Sequence, residues 1–413
     1  MSVVRRHAAR SVVFKQLPPS LEVKNLLSLV PSGRIHQVKS QSNNSLVINF
    51  LDSRSATHFT RKFLASSRDG PLNDDISLDY GESQPIPVEI LAAIGLKNAS
   101  RVIRVTSNNE KDIPSALKGD LNKCGTIESL VDDSRSAVCH FMSIESAIKA
   151  LELLRSSKTY GGYSVYFGID RKSHFPRSFP KGSKTDIVLA SLPKDATTKE
   201  ILDRIQLGVP SLSRETVRSI RFRTKTRKAF INFFEPGIAK MIFDSFEKAE
   251  GNTRLTRGVS VSWLRCRTPS ISTNLRIAVD AGVSRTLTVS NIKDVRQLKS
   301  ILKDIAEFGT ILSNPYNSKT KTVYIEFADI YSSLKAIERI HKDPSAYPAF
   351  NKTHISFTSA TSSIRPMKVS LPKTPSPTSA KPSAQAASEA SSQPTAEIPK
   401  ATSTDKKLDS TTV

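Results

Sequence analysis

Residues 216–234 read TVRSIRFRTKTRKAFINFF. Two runs of β-branched and aromatic residues flank a short basic turn, the pattern of a hairpin. Arg218, Arg221, Arg223, Lys225, Arg227 and Lys228 place six cations on it, and Phe230 stands midway along its second strand. Cations at this density neutralise phosphates, and a ring on the same surface stacks on a flat base. Alone, the basic turn reads equally well as a solvated charge run. Beside Phe230 it reads as a grip for a phosphate chain.

Bulk composition points the same way. The 413 residues carry 61 Lys+Arg against 38 Asp+Glu, a formal net charge of +23. A polyanionic partner is expected: RNA, DNA or an anionic membrane face. No apolar run approaches the ~18 residues of a membrane span. The length predicts two to four domains. Cys124, Cys139 and Cys266 lie far apart, which fits a reducing compartment and neither a zinc site nor a disulfide frame. There is no P-loop, no HExxH and no paired metal-ligand cluster, so neither catalysis nor a cofactor is expected. His140 reads as a strand residue. The N-terminus, MSVVRRHAARSVVFKQL, has arginines and no acid before Glu22, as mitochondrial presequences do. Residues 11–17 are better used as a first strand. The cytoplasm is the expected location, with nuclear passage as an extension and mitochondria as the minority alternative.

The elements that hold the hairpin recur. The order strand, helix, strand, strand, helix, strand is read four times at a spacing of roughly 90 residues, an array of small α+β units on the ferredoxin-like βαββαβ plan. The first strands are SVVFKQL, RVIRVTS, IVLASLP and RTLTVSN; the third are SLVINFL, SAVCHFM, KAFINF and TVYIEF. The predicted organisation is a basic N-terminus (1–10), a degenerate first unit (11–82), a helical linker (83–99), a second unit (100–171), a flexible basic linker (172–184), a third unit (185–267), a second helical linker (268–283), a fourth unit (284–360) and a disordered Ser/Thr/Pro/Ala/Lys tail (361–413). Both helical linkers are short, apolar and Ala-rich, and both end Ser-Arg, at Arg101 and Arg285. They are expected to pack on a neighbouring unit and orient the units of a pair. The tail carries Thr374-Pro375 and Ser376-Pro377, which a proline-directed kinase could modify; an unmodified solubilising tail is the alternative.

Residues 229–233, AFINF, match the last five positions of the third-strand motif of the RNA recognition motif (RRM), while Thr226-Arg227-Lys228 depart from the first three. The resemblance implies that each sheet is a binding face on which bases stack at three positions. Strand alternation puts Val13, Arg104, Val188 and Thr288 at the first-strand position. Ser45 and Val47, Ser136 and Val138, Lys228 and Phe230, Thr322 and Tyr324 take the third-strand positions. Only Phe230 and Tyr324 keep a ring, so the third and fourth units are expected to dominate RNA binding. Arg104 can stack its guanidinium on a base, with Tyr166 on the same face. The first unit is expected to contribute protein partners instead. Trp263 shares parity with Val259 and Val261 and is assigned to the core or its rim; Arg254, Arg257, Arg265 and Arg267 extend the positive surface around it. About six neutralised phosphates predict a salt slope of about −4 for a single strand.

A closer resemblance covers 137–171. AVCHFMSIESAIKALELL and YGGYSVYFGIDR are similar to a module of the fungal four-RRM proteins of the negative-regulator-of-differentiation type, and the Ser-Arg linker ends are similar to that family's lead-ins. The resemblance spans about residues 11–358. It implies an mRNA-binding protein acting in post-transcriptional regulation. The chain departs from the family in lacking the first-strand tyrosines. A protein-interaction scaffold built on degenerate RRMs is the alternative function.

Overall fold

The computed structural model describes residues 9–18, 21–28, 30, 34–41, 44–67, 76–109, 111–171, 183–208, 216–248, 258–264 and 271–358. The N-terminus before residue 9, most of the basic connector, the tail with Thr374 and Ser376, and Arg254, Arg257, Arg265 and Arg267 lie outside the described residues.

The first unit contains β1 (Ser11–Lys15), α1 (Val23–Ser28), β2 (Ile35–Gln41), β3 (Ser45–Phe50), α2 (Ser53–Ser67) and β4 (Ser77–Gly81). A linker helix α3 (Val88–Lys97) leads to β5 (Val102–Ser107), α4 (Leu117–Cys124), β6 (Ile127–Asp133), β7 (Ser136–Phe141), α5 (Ile144–Ser156) and β8 (Tyr163–Phe167). The third unit has β9 (Asp186–Ala190), α6 (Thr198–Gly208), β10 (Val217–Arg223), β11 (Lys228–Phe233), α7 (Pro236–Lys248) and β12 (Ser260–Trp263). A second linker helix α8 (Thr273–Asp280) precedes β13 (Thr286–Ser290), α9 (Val295–Ala306), β14 (Ile311–Ser313), β15 (Tyr316–Asn317), β16 (Thr322–Phe327), α10 (Ile330–Lys342) and β17 (His354–Phe357).

The sheets run β2-β3-β1-β4, β6-β7-β5-β8, β10-β11-β9-β12 and β14-β16-β13-β17, with β15 also on β16. In each, the unit's first and third strands are central and all pairings are antiparallel. The architecture is thus four tandem ferredoxin-like units. Alternation explains it: Leu46, Ile48 and Phe50 of β3 and Ala229, Ile231 and Phe233 of β11 are buried under the helices, while the residues between them face out. The second strand of the fourth unit is split into two short strands, β14 and β15. Trp263 lies opposite Ile187 on the core side and stacks on Phe243 at 4.5 Å between ring centroids.

The hairpin tips share a feature. Asn44, Arg227 and Lys321, each just before a third strand, have φ of 52°, 53° and 50°. This left-handed backbone is where the motif has glycine. Their carbonyls accept from Leu17, Leu192 and Ile292 at 2.9, 3.1 and 3.1 Å, which ties the tip to the end of the first strand. The tie offsets the roughly 1–2 kcal/mol that a side chain costs in this conformation.

The units dock in two similar pairs. In the first, the Val38 amide donates to the Met142 carbonyl at 2.8 Å, and in the second the Ile220 amide donates to the Ala328 carbonyl at 2.9 Å. Both contacts follow a bulge, between Ile35 and Gln37 and between Val217 and Ser219. The bulge turns an edge-strand amide toward the neighbouring unit. Each repeated Ser-Arg ends in a buried clamp. Arg101 donates to the Phe141 carbonyl at 2.9 Å and pairs with Asp170 at 2.8 Å and Glu128 at 2.9 Å. Arg285 donates to the Phe327 carbonyl at 2.6 Å and, across the pair, to the Val217 carbonyl at 2.8 Å.

The linker helices do more than orient a pair. Ile90, Leu91, Ala92, Ala93, Ile94 and Gly95 are all buried, because α3 packs against both α8 and α10. A helix apolar all round must be enclosed. A Cβ on Gly95 would come within 2.9 Å of Leu334 and 3.5 Å of Ala278, so the missing side chain lets three helices meet. Lys97 pairs with Glu338 at 2.7 Å, and Arg34 with Asp280 at 2.8 Å. The two pairs therefore touch through packed helices as well as being joined by the connector. Among the described residues no helix is long and apolar enough to cross a membrane.

Candidate nucleic-acid interface

The face of each sheet turned away from its helices carries a row of residues in register across the strands. In the third unit the row is Arg221, Phe230, Val188 and Ser262. Phe230 is half-buried, and the Arg223 guanidinium lies over its ring at 5.1 Å from the centroid. A cation over a π-face is attracted to the ring. Arg223 faces Lys228 one step along the hairpin, and Arg221, Arg223, Lys225 and Lys228 are exposed. Arg218 falls in the bulge of β10 and is half-buried. Arg227 is differently occupied: its guanidinium donates to the carbonyls of Leu192 at 2.5 Å and Ser191 at 3.3 Å. The hairpin fold thus uses this cation locally. Val188, outward by alternation, retains only 8% of its surface.

In the second unit the row is Val131, Val138, Arg104 and Tyr166. Arg104 and Tyr166 face each other on exposed positions. In the fourth it is Tyr324, Thr288 and Ser356, with Tyr324 half-buried. In the first it is Lys39, Val47, Val13 and Asp79. That row has no ring, and Lys15 is paired with Asp79 at 2.7 Å. Arg104, Tyr166, Phe230 and Tyr324 therefore lie on the sheet faces turned away from the helices but do not form one cluster: Arg104 and Tyr166 share one sheet, Phe230 and the exposed cations Arg221, Arg223, Lys225 and Lys228 another, Tyr324 a third.

A second row, one step from Phe230, has no counterpart in the sequence reading. Ser219 Oγ donates to Asn232 Oδ1 at 2.8 Å, and Asn232 Nδ2 donates to Asp186 Oδ1 at 2.6 Å. The signal was small polar residues at outward parity on three strands, and only the register assembles them. In the second unit the same row holds His140, whose ring burial keeps below its ordinary pKa. Among the described residues no group of three His, Cys, Asp or Glu could hold a metal ion.

Central first and third strands with antiparallel edge strands, in the same order in all four sheets, decide the fold. It is the RNA-recognition-motif fold, in tandem. No family model matches the chain. It is 23% identical over 385 residues to the meiotically up-regulated gene 24 protein of Schizosaccharomyces pombe, covering 84% of this chain and 55% of that protein. It is 23% identical over 403 residues to the RNA-binding protein MRN1 of Saccharomyces cerevisiae, covering 81% of this chain and 64% of that protein. The chain thus spans between half and two thirds of the length of these relatives. Similar solved structures include the N-terminal three RNA-binding domains of the yeast splicing factor Prp24 (15% identity, TM-score 0.16, 57% of this chain and 91% of that chain). RNA-recognition domains 1 and 2 of Drosophila melanogaster Sex-lethal are another (15% identity, TM-score 0.15, 42% and 99%).

Proposed function

We propose that this chain is a non-catalytic protein that binds single-stranded RNA on the open faces of its RRM folds. The observation that carries the reading is the row through Phe230: a ring flanked by Arg221, with Arg223 over it, on the sheet face opposite the core residues Ile187, Ala229 and Ile231. A ring stacks on any base, and the adjoining cations hold the phosphates. Similarity to a yeast protein named as RNA-binding supports the same reading. The third and fourth units dominate, because Phe230 and Tyr324 are the outward-facing rings on their third strands; Arg104 and Tyr166 make the second unit an auxiliary site. Lys228, Arg218, Arg221, Arg223 and Lys225 contribute phosphate contacts. Messenger RNA is the natural single-stranded target, and post-transcriptional regulation the role.

The test is fluorescence anisotropy of the full chain with an unstructured RNA. The expected result is salt-sensitive binding that weakens at least about tenfold in Phe230→Ala plus Tyr324→Ala, since each stacked base contributes roughly 1–3 kcal/mol. No binding at low salt overturns the reading and leaves the protein-interaction scaffold.

A further inference from the structure

The row beside Phe230 contains an under-used acid. Asp186 retains 7% of its surface and stands on the open face of β9, opposite Asn232. An ionised carboxylate offers about four acceptor sites. Among the described residues the Asp186 carboxylate receives one donor, Asn232 Nδ2. Asn232 in turn is oriented by Ser219, which donates to its carbonyl oxygen. That bond leaves the second N–H of Asn232 without an acceptor among the described residues. A largely covered carboxylate with unfilled acceptor sites is costly unless a donor arrives.

Register places this pair relative to the ring. Phe230 lies opposite Val188, and Asn232 opposite Asp186, on the same two strands. Diagonal same-face neighbours in such a ladder are separated by about 7–8 Å, comparable to the width of a base. The hairpin cations Arg221 and Arg223 lie on the other side of Phe230. A base stacked on the ring, with its phosphates toward the cations, turns its pairing edge to Asn232 and Asp186.

We propose that the third unit selects guanine at the base stacked on Phe230, with Asp186 reading its edge; this rests on the RNA-binding function above. The free Asn232 N–H meets O6, and the Asp186 carboxylate accepts from N1–H and N2–H. Uracil also offers an acceptor beside a donor, but it then sets O2 against the carboxylate. Adenine and cytosine bring a single amino donor. Guanine alone supplies two donors to the acid.

The experiment uses the full chain and decauridine with one central residue exchanged for guanosine, inosine, adenosine or cytidine. Guanosine is expected to bind about tenfold tighter than uridine, within the discrimination usual for a two-bond base contact. Inosine, which lacks the 2-amino group, loses much of that gain. In Asp186→Asn, nearly the same shape, the guanosine-to-uridine ratio falls to about one, and circular dichroism establishes that the variant is folded. In Asn232→Ser the ratio also falls, which keeps the test open should Asp186→Asn misfold. Salt-sensitive binding without a guanosine preference, or a preference that survives Asp186→Asn, overturns this proposal and leaves RNA binding intact. Failure of every oligonucleotide to bind overturns the RNA-binding reading, and this proposal with it.

Discussion

Two cations on the same hairpin, Arg221 and Arg227, do different work. Arg221 is exposed beside Phe230, whereas Arg227 is bound to two backbone carbonyls. Each released counterion contributes about 0.7 to the salt slope on a single strand. Arg221→Ala is therefore expected to lower the measured slope by about 0.7, while Arg227→Ala leaves the slope unchanged and lowers the melting temperature. Titration of log affinity against log salt for the two variants checks this. His36 makes a separate prediction. Burial, reinforced by Arg10 and Lys39, pushes its pKa down to about 4, and its Nε2 has no partner among the described residues. The unfolded chain takes up this proton near pH 6.5 and the folded chain only near 4. Folded stability therefore falls as pH drops through that window. The melting temperature is expected to be lower at pH 5 than at pH 7, and His36→Phe should flatten the difference.

Elements were shaped by contacts beyond their own unit. Helix α3 is apolar on every side because α8 and α10 enclose it. Gly95→Leu forces atoms into Leu334 and is expected to destabilise the junction by about 1–3 kcal/mol. Denaturant unfolding reads the loss, and small-angle scattering reads any parting of the pairs. The first-pair clamp is ionic: burial alone raises the Asp170 pKa, but Arg101 and Arg171 outweigh it and hold the carboxyl below its ordinary range. Its contribution is present above the unfolded value near pH 4 and is lost as pH falls through the lower folded value. In the second pair Arg285 relies more on backbone carbonyls, at Phe327 and Val217. Acid unfolding of Asp170→Asn should therefore be flatter below pH 4 than that of the parent chain.

At the scale of the whole molecule, the docked pairs change how weak sites combine. Two modules on a slack tether see each other at about millimolar concentration. Here α3, α8 and α10 pack together and Arg34 reaches Asp280, so ordering of the pairs is already present before a ligand arrives, which lowers the entropic cost of a second contact. Splitting the chain in the connector is expected to leave the halves associated through these helices. Size-exclusion chromatography of the nicked protein tests this, and Gly95→Leu should release them.

The fourfold strand order, the outward parity of Phe230, Tyr324, Arg104 and Tyr166, and the core assignment of Trp263 were all legible in the amino-acid order. Alternation with period two is local, and it fixes which face a side chain takes. The Ser-Arg repeat was visible as a pattern, but its role as a buried clamp was not, because Asp170, Phe141 and Val217 come to it from distant strands. Likewise no spacing joins Ser219, Asn232 and Asp186, or marks Arg227 as bound to carbonyls. Sequence settles what one strand presents; which strands lie side by side, and which helices close over a glycine, is decided by packing between residues far apart in the chain.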